Sequence, residues 1–424
     1  MRVASDSESN MRLPFARSPP SAASRRPHQM ETSSEPTKPA MDKIQDQFDN
    51  FHIEKRSTLT IDSTYLMDMD VSKPQEAGQS QFLAILCSDN SIKVYNRDTL
   101  TLIREYNGDS GLLNGIRFAR TSENLLFSAS VDGTVKSWDT RLSSSETAQL
   151  FKGFPSNVFT SFDISCNDTL VCAGTEKTED EVFMVFWDAR NAMGSPASKQ
   201  PLGVYSESHN DDITQVCFHP SNPNLLVSGS TDGLVNVFDL NKQNEDDALI
   251  VTCNSDSSVS FVGWSGKAYN QIYCLTHDEG FYWWDLDQLD SQCPITLLNI
   301  QDSREKFNTG YGNLEYLTGG FYNPKSDMLF VLGGTHTGTL HLLNGQTDGL
   351  HHWGTLQGGH SSTLRSFYWN HEEQSLLTGG EDGQLLLWKP RTVEMCLQGR
   401  NSMKMTSSVH QRVRIHNKST KLKK

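Results

Sequence analysis

The chain has 424 residues, and 51 acidic against 37 basic side chains give it a formal net charge of −14. No stretch approaches the roughly 18 consecutive apolar residues that a membrane helix needs, and the first residues contain no apolar run of the kind found in a secretion signal. Eight cysteines stand singly without a Cys-x-x-Cys motif, which favours reduced thiols in a cytoplasmic or nuclear protein over a secreted one.

The two ends of the chain differ in composition from its middle. Residues 1–40 are rich in Ser, Pro, Arg and Ala and show no hydrophobic periodicity, so we predict a disordered N-terminal extension there. From about residue 50, short apolar runs alternate with Gly, Asn, Asp and Ser, a pattern typical of strands joined by tight turns. The sequence therefore predicts an all-β domain over 41–392, followed by a basic C-terminal tail at 393–424.

The strongest pattern is a phrase that recurs seven times, such as VDGTVKSWD at 131–139 and EDGQLLLWK at 381–389. Asp-Gly suits a tight hairpin turn, and the alternating residues after it suit a strand. The large apolar position near the end of the phrase is occupied by Tyr95, Trp138, Trp187, Phe238, Trp284, Leu343 and Trp388, spaced 43 to 59 residues apart. The phrase resembles the WD40 repeat, in which a period of about 40 residues forms one four-stranded blade. The resemblance implies a closed seven-bladed WD40 β-propeller.

A second apolar run precedes several copies of the phrase, at 213–220, 258–265 and 363–370. These runs are predicted to be the innermost strands around a central channel. The seventh blade shows no fourth strand after Trp388, so its outermost strand must come from 51–59 or from 407–415. We favour the N-terminal segment, because a blade built from both ends of the chain closes the ring.

Three blades contain polar residues in the order of the hydrogen-bonded tetrad of WD40 proteins. These candidates are His360, Thr378, Asp382 and Trp388 in blade seven, His209, Ser228 and Asp232 in blade four, and Ser128, Asp132 and Trp138 in blade two. Blade four has Phe238 in place of the Trp, and blade two has Asp109 in place of the His. Although His, Asp and Ser together resemble a catalytic set, the repetition favours a structural role, since each such hydrogen bond contributes about 1 kcal/mol to the fold.

The sequence lacks the common motifs of enzyme chemistry. The sequence has no G-x-x-x-x-G-K-[ST], G-x-G-x-x-G or G-x-S-x-G motif, which would indicate phosphate binding or a nucleophilic serine. Five histidines crowd one region, but their spacing does not suit a metal site; they are His336, His341, His351, His352 and His360. We therefore predict no catalytic residue, no cofactor and no metal, and expect a non-enzymatic scaffold for protein–protein interactions.

The predicted loops contain acidic segments that suit basic protein partners. These segments are 244–247 (NEDD), 177–180 (KTED) and the mixed-charge connection 299–313. Any loop in contact with water is polar, so contact with solvent also explains these segments. Partner binding through the loops remains the first functional hypothesis.

A second hypothesis comes from two consecutive repeats that end in W-D-x-R, at 138–141 and 187–190. This pairing resembles the boxes by which some WD40 proteins dock on the damaged-DNA-binding adaptor of cullin-4 RING ubiquitin ligases. The resemblance implies partner-binding roles for Arg141 and Arg190, together with Asp139 and Asp188. Both copies depart from the full box, since Ser137 occupies a normally apolar position and the third repeat is stretched. The alternative is that each Arg pairs with a neighbouring carboxylate, which contributes about 0–1 kcal/mol.

Charge is unevenly distributed along the chain. Residues 41–388 carry a formal charge of −25, whereas 389–424 contain ten basic residues and one acidic residue. An acidic body repels the phosphates of nucleic acids, so we expect no nucleic-acid binding except through the tail at 412–424. That tail supports a third hypothesis, a nuclear or nucleolar assembly factor.

Overall fold

The computed structural model describes residues 51–59, 64–73, 81–107, 111–142, 147–154, 156–190, 198–287, 294–309 and 312–391. The predicted N-terminal extension at 1–40 and the predicted basic tail at 393–424 lie outside these residues. Within them, nearly all regular structure is β-strand.

The strands form seven antiparallel sheets, the blades, which are numbered along the chain by their innermost strands. The first strand, β1 (Phe51–Thr58), belongs to blade 7. Blade 1 comprises β2 (Leu66–Val71), β3 (Phe82–Cys87), β4 (Ser91–Asn96) and β5 (Thr101–Asn107), and blade 2 comprises β6 (Leu113–Phe118), β7 (Leu125–Ser130), β8 (Thr134–Asp139) and β9 (Gln149–Lys152). Blade 3 comprises β10 (Phe159–Ile164), β11 (Leu170–Thr175) and β12 (Met184–Asp188), and after the two-residue β13 (Ser198–Lys199) its last strand is β14 (Gly203–Tyr205).

Blade 4 comprises β15 (Gln215–Phe218), β16 (Leu225–Gly229), β17 (Leu234–Asp239) and, after the short helix α1 (Glu245–Ala248), β18 (Leu249–Asn254). Blade 5 comprises β19 (Val259–Ser265), β20 (Gln271–Thr276), β21 (Phe281–Asp285) and β22 (Ile295–Ile300). Blade 5 is followed by a 3-10 turn (Ser303–Lys306) and by a hairpin of β23 (Asn308–Thr309) and β24 (Gly312–Asn313). Blade 6 comprises β25 (Tyr316–Asn323), β26 (Met328–Gly334), β27 (Leu340–Gln346) and β28 (Gly349–Leu356). Blade 7 comprises β29 (Leu364–Asn370), β30 (Ser375–Gly380), β31 (Gln384–Pro390) and β1. The seven-bladed propeller predicted from the repeat is confirmed.

The recurring phrase forms the turn between the second and third strands of a blade. In blade 2, Asp132 Oδ1 accepts hydrogen bonds from the backbone N–H (3.1 Å) and the hydroxyl (2.6 Å) of Thr134. Gly133 follows with φ at 74°, a left-handed conformation that glycine adopts at little cost. A Cβ at this position would also lie 2.8 Å from the carbonyl oxygen of Asn157. The Asp-Gly pair is therefore required by the geometry of the turn.

The large apolar residue of each phrase anchors its blade in the core. The seven residues are at most 3% exposed: Tyr95, Trp138, Trp187, Phe238, Trp284, Leu343 and Trp388. Apolar clusters fill the space between successive blades, such as the one in which Trp138 of blade 2 packs with Leu86 and Ile92 of blade 1. A single blade cannot cover both of its faces, so stacking around the ring provides the burial that stabilises each sheet.

The ring is closed by the N-terminal strand. β1 pairs antiparallel with β31, from Phe51 opposite Pro390 to Thr58 opposite Gln384. The preference for 51–59 over 407–415 as the fourth strand of blade 7 is therefore confirmed. The runs 213–220, 258–265 and 363–370 contain β15, β19 and β29, which are the innermost strands of their blades as predicted.

One pairing was not anticipated from the sequence. The two-residue strand β13 lies in the excursion between the third and fourth strands of blade 3, yet it pairs in parallel with β9 at the outer edge of blade 2. Lys199 secures it, since its Nζ donates to the carbonyl oxygen of Asp188 (2.9 Å) and lies 5.7 Å from the centre of the Phe151 ring. Blade 2 therefore has five strands.

Alternating strand direction assigns the turns to two faces of the ring. The loops between blades and the turns between second and third strands share one face, which we call the connection face. The turns between first and second strands and between third and fourth strands belong to the other, which we call the opposite face. This division places every polar group described below.

Candidate functional site

Blade 7 contains a complete hydrogen-bonded tetrad. Trp388 Nε1–H donates to Thr378 Oγ1 (2.8 Å), and that hydroxyl lies 2.8 Å from His360 Nε2. His360 Nδ1 lies 3.1 Å from Asp382 Oδ1. Because Thr378 accepts from the indole, its own hydrogen is directed at Nε2, and the imidazole proton then resides on Nδ1 and faces the carboxylate. The four side chains form one chain of donors and acceptors across the blade.

The carboxylate at the end of this chain is held in its charged form. Burial alone would raise the pKa of Asp382, but the hydrogen bond from His360 and those from backbone N–H groups outweigh it and lower the pKa below its ordinary value. Ser361 N–H (2.8 Å) and Gln384 N–H (3.0 Å) supply the backbone donors. Both oxygens of the buried carboxylate thus have structural partners, which supports the interpretation of this set as part of the fold.

Blade 4 has three members of the tetrad and an additional amide beside them. His209 Nδ1 lies 3.2 Å from Asp232 Oδ2, and His209 Nε2 lies 2.7 Å from Ser228 Oγ. The Phe238 ring is fully buried but has no donor. Asn236 Nδ2 lies 3.3 Å from His209 Nε2 and donates to the carbonyl oxygen of Ser208 at 2.7 Å. The amide therefore fills a polar position that the sequence did not single out.

Blade 2 retains only the inner half of the arrangement. Trp138 Nε1–H donates to Ser128 Oγ at 2.9 Å. Asp132 accepts from Thr134 within its own turn, and Asp109, which stands in the His position of the repeat, lies outside the described residues. The three predicted sets thus form a full tetrad, a triad and a Trp–Ser pair.

Both W-D-x-R motifs adopt the same geometry at the ends of third strands, on the opposite face. Arg141 Nε and Nη2 donate to the two carboxylate oxygens of Asp139 at 2.9 and 2.6 Å. Arg190 makes the same paired contacts with Asp188, also at 2.9 and 2.6 Å. The arginine side chains remain 70% and 71% exposed. Each guanidinium is therefore held in one orientation, with its outer edge directed to solvent.

These pairs shift the acidity of their carboxylates. The Arg190 hydrogen bonds lower the pKa of Asp188 to about 2, and those of Arg141 lower the pKa of Asp139. Asp302 and Arg304 form the same bidentate pair at 2.9 and 2.7 Å in the 3-10 turn after blade 5, where no Trp precedes them. The pairing with a neighbouring carboxylate is thus a local property of D-x-R, and the exposure of both arginines is what the tertiary structure adds.

The fold brings two of the crowded histidines, His341 and His352, into contact. His341 is buried and shares Thr355 Oγ1 with His352, at 3.3 and 2.9 Å respectively. His351 lies 2.8 Å from Asp348, and His336 lies 3.1 Å from the hydroxyl of Thr363. Across the described ranges, no group of three or more His, Cys, Asp or Glu side chains is placed to hold a metal ion.

The two faces differ sharply in charge. The described loops of the connection face contain 18 acidic residues: Asp89, Asp132, Glu176, Glu179, Asp180, Glu181, Glu207, Asp211, Asp212, Asp232, Asp256, Asp278, Glu279, Asp302, Glu305, Glu315, Glu381 and Asp382. Their three basic residues are Lys177, Arg304 and Lys306. The excess of carboxylates produces a negative potential that attracts cationic partners.

The described turns of the opposite face are close to balance, without counting the aspartates that end third strands, such as Asp139 and Asp188. Their 11 acidic residues are Asp98, Glu123, Asp168, Glu245, Asp246, Asp247, Asp287, Asp327, Asp348, Glu372 and Glu373, against ten basic residues: Lys73, Arg97, Arg120, Arg141, Arg190, Lys199, Lys242, Lys267, Lys325 and Arg391. The acidic segment 244–247 is counted here because it joins the third and fourth strands of blade 4. Glu245 nevertheless accepts from the backbone N–H groups of Ser206 (2.7 Å) and Ser208 (2.8 Å), which lie in the loop between blades 3 and 4 on the connection face.

Side chains of the innermost strands connect neighbouring blades around the channel. Asp68 of blade 1 meets Arg117 of blade 2 at 2.8 Å, and Arg120 meets Asp163 of blade 3 at 3.0 Å. Asp163 also accepts from the backbone N–H of Phe218 in blade 4 at 2.8 Å. Sequence reasoning missed these residues, because the contacts join positions about 50 residues apart in the chain. The alternation of polar residues on innermost strands was the signal that could have indicated them.

Comparison with known proteins places the chain in a family. The family model for the WD domain, G-beta repeat, matches residues 100–139, 199–239 and 353–389. Together with the seven-bladed ring and the tetrads, this identifies the class as WD40 β-propellers. The chain belongs to the WD40-repeat proteins, since it is 32% identical over 323 residues to WD repeat-containing protein GTS1 of Arabidopsis thaliana, covering 72% of this chain and 78% of that protein.

Two further relatives show how far the similarity extends. The chain is 28% identical over 332 residues to the WD repeat-containing protein 89 homolog of Dictyostelium discoideum, which covers 77% of this chain and 83% of that protein. It is 35% identical over 189 residues to an uncharacterized WD repeat-containing protein of Saccharomyces cerevisiae, covering 44% and 45% of the two chains. Among the described residues, no helix is long and apolar enough to cross a membrane.

Proposed function

We propose that this propeller is a non-enzymatic scaffold whose connection face binds basic segments of partner proteins. The observation that supports this most directly is the distribution of charge, with 18 carboxylates and three basic residues on one set of loops and near balance on the other. Polarity is expected of every loop, but a bias confined to one face is not. Such a face attracts cationic partners and accelerates their encounter in a salt-dependent manner.

The loop of blade 3 offers the sharpest test, because Glu179, Asp180 and Glu181 are exposed there. Proteins captured by the full chain are compared with those captured by an E179K/D180K/E181K variant. We expect recovery of the direct partners to fall several-fold in the variant, and to fall likewise for the wild type in about 0.5 M salt. The matched control is D287K/D348K/E372K, which reverses the same number of exposed carboxylates on the opposite face. Equal recovery with both variants would contradict the proposal.

A second candidate function is that of substrate receptor in a cullin-4 RING ubiquitin ligase. It is favoured by the two exposed guanidiniums at equivalent positions of adjacent blades, each oriented by its bidentate carboxylate. A planar, permanently charged guanidinium suits recognition of carboxylates on an adaptor. Co-purification of the damaged-DNA-binding adaptor is expected to be lost in R141E/R190E and kept in R304E, which disrupts a bidentate D-x-R pair outside the motif. Retention of the adaptor by R141E/R190E would count against this function.

The third candidate, a nuclear or nucleolar assembly factor, depends on the basic residues at 412–424. Those residues lie outside the described structure. The distribution of a fluorescent fusion with and without residues 412–424 tests it, together with the cytoplasmic or nuclear location expected from the cysteine pattern. An unchanged distribution would remove the tail as a nuclear determinant.

A further inference from the structure

The central channel has one aromatic wall. Its cavity of about 480 Å³ is bordered on blades 5 to 7 by aromatic residues of the innermost strands: Phe261, Phe321, Phe367, Tyr368 and Trp369. The Phe321 ring lies 5.1 Å from that of Trp369 and 6.0 Å from that of Phe367. Phe261, Phe321 and Phe367 are each only partly buried. Apolar ring surface therefore borders open space within the channel.

The polar side chains of the other blades are already engaged in contacts between blades. Thr214 donates to the carbonyl oxygen of Val259 (2.7 Å), and Gln215 Oε1 accepts from Val262 N–H (3.1 Å). By contrast, Thr318 Oγ1 is buried without a hydrogen-bond partner among the described residues. The Thr318 hydroxyl, on the aromatic side of the channel, is thus available to hydrogen-bond with a ligand.

A groove on the connection face leads into this cavity. It has a volume of about 500 Å³, lies between blades 6 and 7, and shares Thr318 and Arg365 with the channel. Arg365 Nε donates to Glu381 at 2.8 Å, so its charge is paired. Glu315 accepts from the backbone N–H of His336 at the outer end of the groove, and Glu279 accepts from that of Leu317 at 2.6 Å. The path therefore has an acidic rim and an aromatic interior.

The chain itself contains a segment of complementary chemistry. Residues 407–415 (SSVHQRVRI) have a strand-like pattern, but β1 occupies the edge of blade 7 that they could have completed. In an extended conformation, Val413 and Ile415 project to one side and Arg412 and Arg414 to the other. Residues 409–424 contain six Lys or Arg and no acidic residue. This segment presents apolar side chains to an aromatic wall and cations to carboxylates.

The linker before this segment is long enough to reach the groove from the opposite face, where β31 ends. β31 ends in blade 7, where Lys389 Nζ lies 3.1 Å from Glu373. The fifteen residues of 392–406 span up to about 50 Å when extended, whereas the seven-residue strands of blade 7 are about 23 Å long. Residues 407–424 can therefore reach the connection face without any change in the ring.

We propose that residues 407–424 bind to their own propeller, with Val413, Arg414 and Ile415 in the groove between blades 6 and 7 and against the aromatic wall. The bound segment covers the mouth of the channel and competes with other basic segments for the connection face. That regulatory consequence rests on the proposed function, whereas the intramolecular contact does not.

The test uses the full chain and a fluorescein-labelled synthetic peptide of residues 407–424, with binding followed by fluorescence anisotropy at about 0.1 M salt. We expect the peptide to bind a V413S/R414S/I415S variant of the full chain at least tenfold more tightly than the wild type, whose groove is already occupied. A K421S/K423S/K424S variant removes more charge, but at residues outside the groove, and is expected to change peptide affinity less than threefold.

A second comparison separates specific docking from general attraction. Within the V413S/R414S/I415S background, the additional substitution T318V or F367L is expected to weaken the labelled peptide at least fivefold, with folding checked by thermal unfolding. A scrambled peptide of the same composition that bound equally well would overturn the proposal and leave the acidic face as a general site for basic segments. If neither the labelled peptide nor the scrambled peptide bound, both the docking of residues 407–424 and the binding of basic segments by the connection face would be wrong.

If a groove variant fails to fold, a crosslinking measurement tests the proposed contact instead. A photoreactive benzoylphenylalanine replaces Val413 in the otherwise unchanged full chain. Intramolecular crosslinks to peptides containing 316–318 or 363–369 are expected, and crosslinks confined to the opposite face would overturn the proposal.

Discussion

Thr378 shows how one hydroxyl can determine the hydrogen bonding of a whole blade. It accepts from the Trp388 indole and lies 2.8 Å from His360 Nε2, inside a core where all three side chains are buried. Removal of one such partner leaves buried polar atoms without water or protein to bind, at a cost of about 1–3 kcal/mol for each. The tetrad is therefore more sensitive at its centre than at its ends.

The first prediction concerns this central position. A T378V substitution leaves the indole N–H and the imidazole Nε2 unsatisfied, whereas S128A in blade 2 leaves only the indole of Trp138 without its partner. We expect both to lower the free energy of unfolding, T378V by about 3 kcal/mol and S128A by about 1–2 kcal/mol. Urea denaturation of the two variants provides the measurement. An equal or smaller loss for T378V would show that the tetrad is not coupled through Thr378.

A second prediction concerns His341, which is 2% exposed. Burial, followed by repulsion from His352, lowers the pKa of His341 to about 4. The unfolded chain takes up this proton near pH 6.5, while the folded chain resists it until about pH 4. The folded state therefore loses stability as the pH falls between these values.

The expected size of this loss can be measured by comparing variants. Between pH 7 and pH 5, the wild type is expected to lose about 2 kcal/mol more stability than an H341L variant. H351L is the control, because it removes an exposed imidazole of the same blade instead of the buried one. Urea denaturation at the two pH values checks this, and parallel curves for wild type and H341L would refute it.

At the scale of single elements, β1 decides whether the last blade is complete. It pairs with β31 over its whole length, and the Phe51 ring stacks on Trp369 at 6.2 Å. Without it, the Leu-rich strand β31 becomes an exposed edge, which is a site for aggregation. β1 therefore both completes blade 7 and protects the edge of β31.

A deletion series gives the third prediction. A chain that starts at residue 60 is expected to be largely unfolded or aggregated, because the fourth strand of blade 7 and the closure of the ring are lost. A chain that starts at residue 41 retains β1 and is expected to unfold at the same temperature as the full chain. Circular dichroism and size-exclusion chromatography distinguish the two. A folded, monomeric chain from residue 60 would mean that another segment completes the blade.

At the scale of the whole molecule, an ionic contact reinforces the closure between blades 7 and 1. Arg97, which is 4% exposed, pairs with Asp98 of its own turn and with Glu373 of blade 7. Lys389 reaches the same carboxylate at 3.1 Å. Burial would raise the pKa of Glu373, but its hydrogen bonds with Arg97 and Lys389 lower it overall. The folded state therefore gains stability from this group above the ordinary pKa of Glu, and loses it as the pH falls below that value.

The fourth prediction tests that contact. E373Q is expected to cost about 2 kcal/mol at pH 7, because it leaves a buried guanidinium with one carboxylate fewer. E372Q changes an exposed neighbour and is expected to change stability by less than about 0.5 kcal/mol. The difference between E373Q and wild type should narrow below about pH 4, where the carboxylate of the wild type becomes protonated. A constant difference across this range, measured by urea denaturation, would assign the effect to packing rather than charge.

Charge on the two faces is also a property of the whole ring, since loops from all seven blades contribute to it. The acidic segment 244–247 shows that one loop can connect the two faces. It joins the third and fourth strands of blade 4, yet Glu245 accepts from the backbone N–H groups of Glu207 and Ser208, which lie in the loop between blades 3 and 4 on the connection face. The segment 177–180 and much of 299–313 lie on the acidic connection face.

Local chemistry determined what the sequence alone could reveal. The Asp-Gly turn, the alternating strand and the buried aromatic depend on a few adjacent residues, so seven copies were sufficient to predict seven blades and the order His360, Thr378, Asp382, Trp388 of a complete tetrad. Only the tertiary structure decided contacts between residues far apart in the chain. These include β13 on the edge of blade 2, the aromatic wall around Phe321, and the division of carboxylates between two faces, because each depends on how separate blades are placed by closure of the ring.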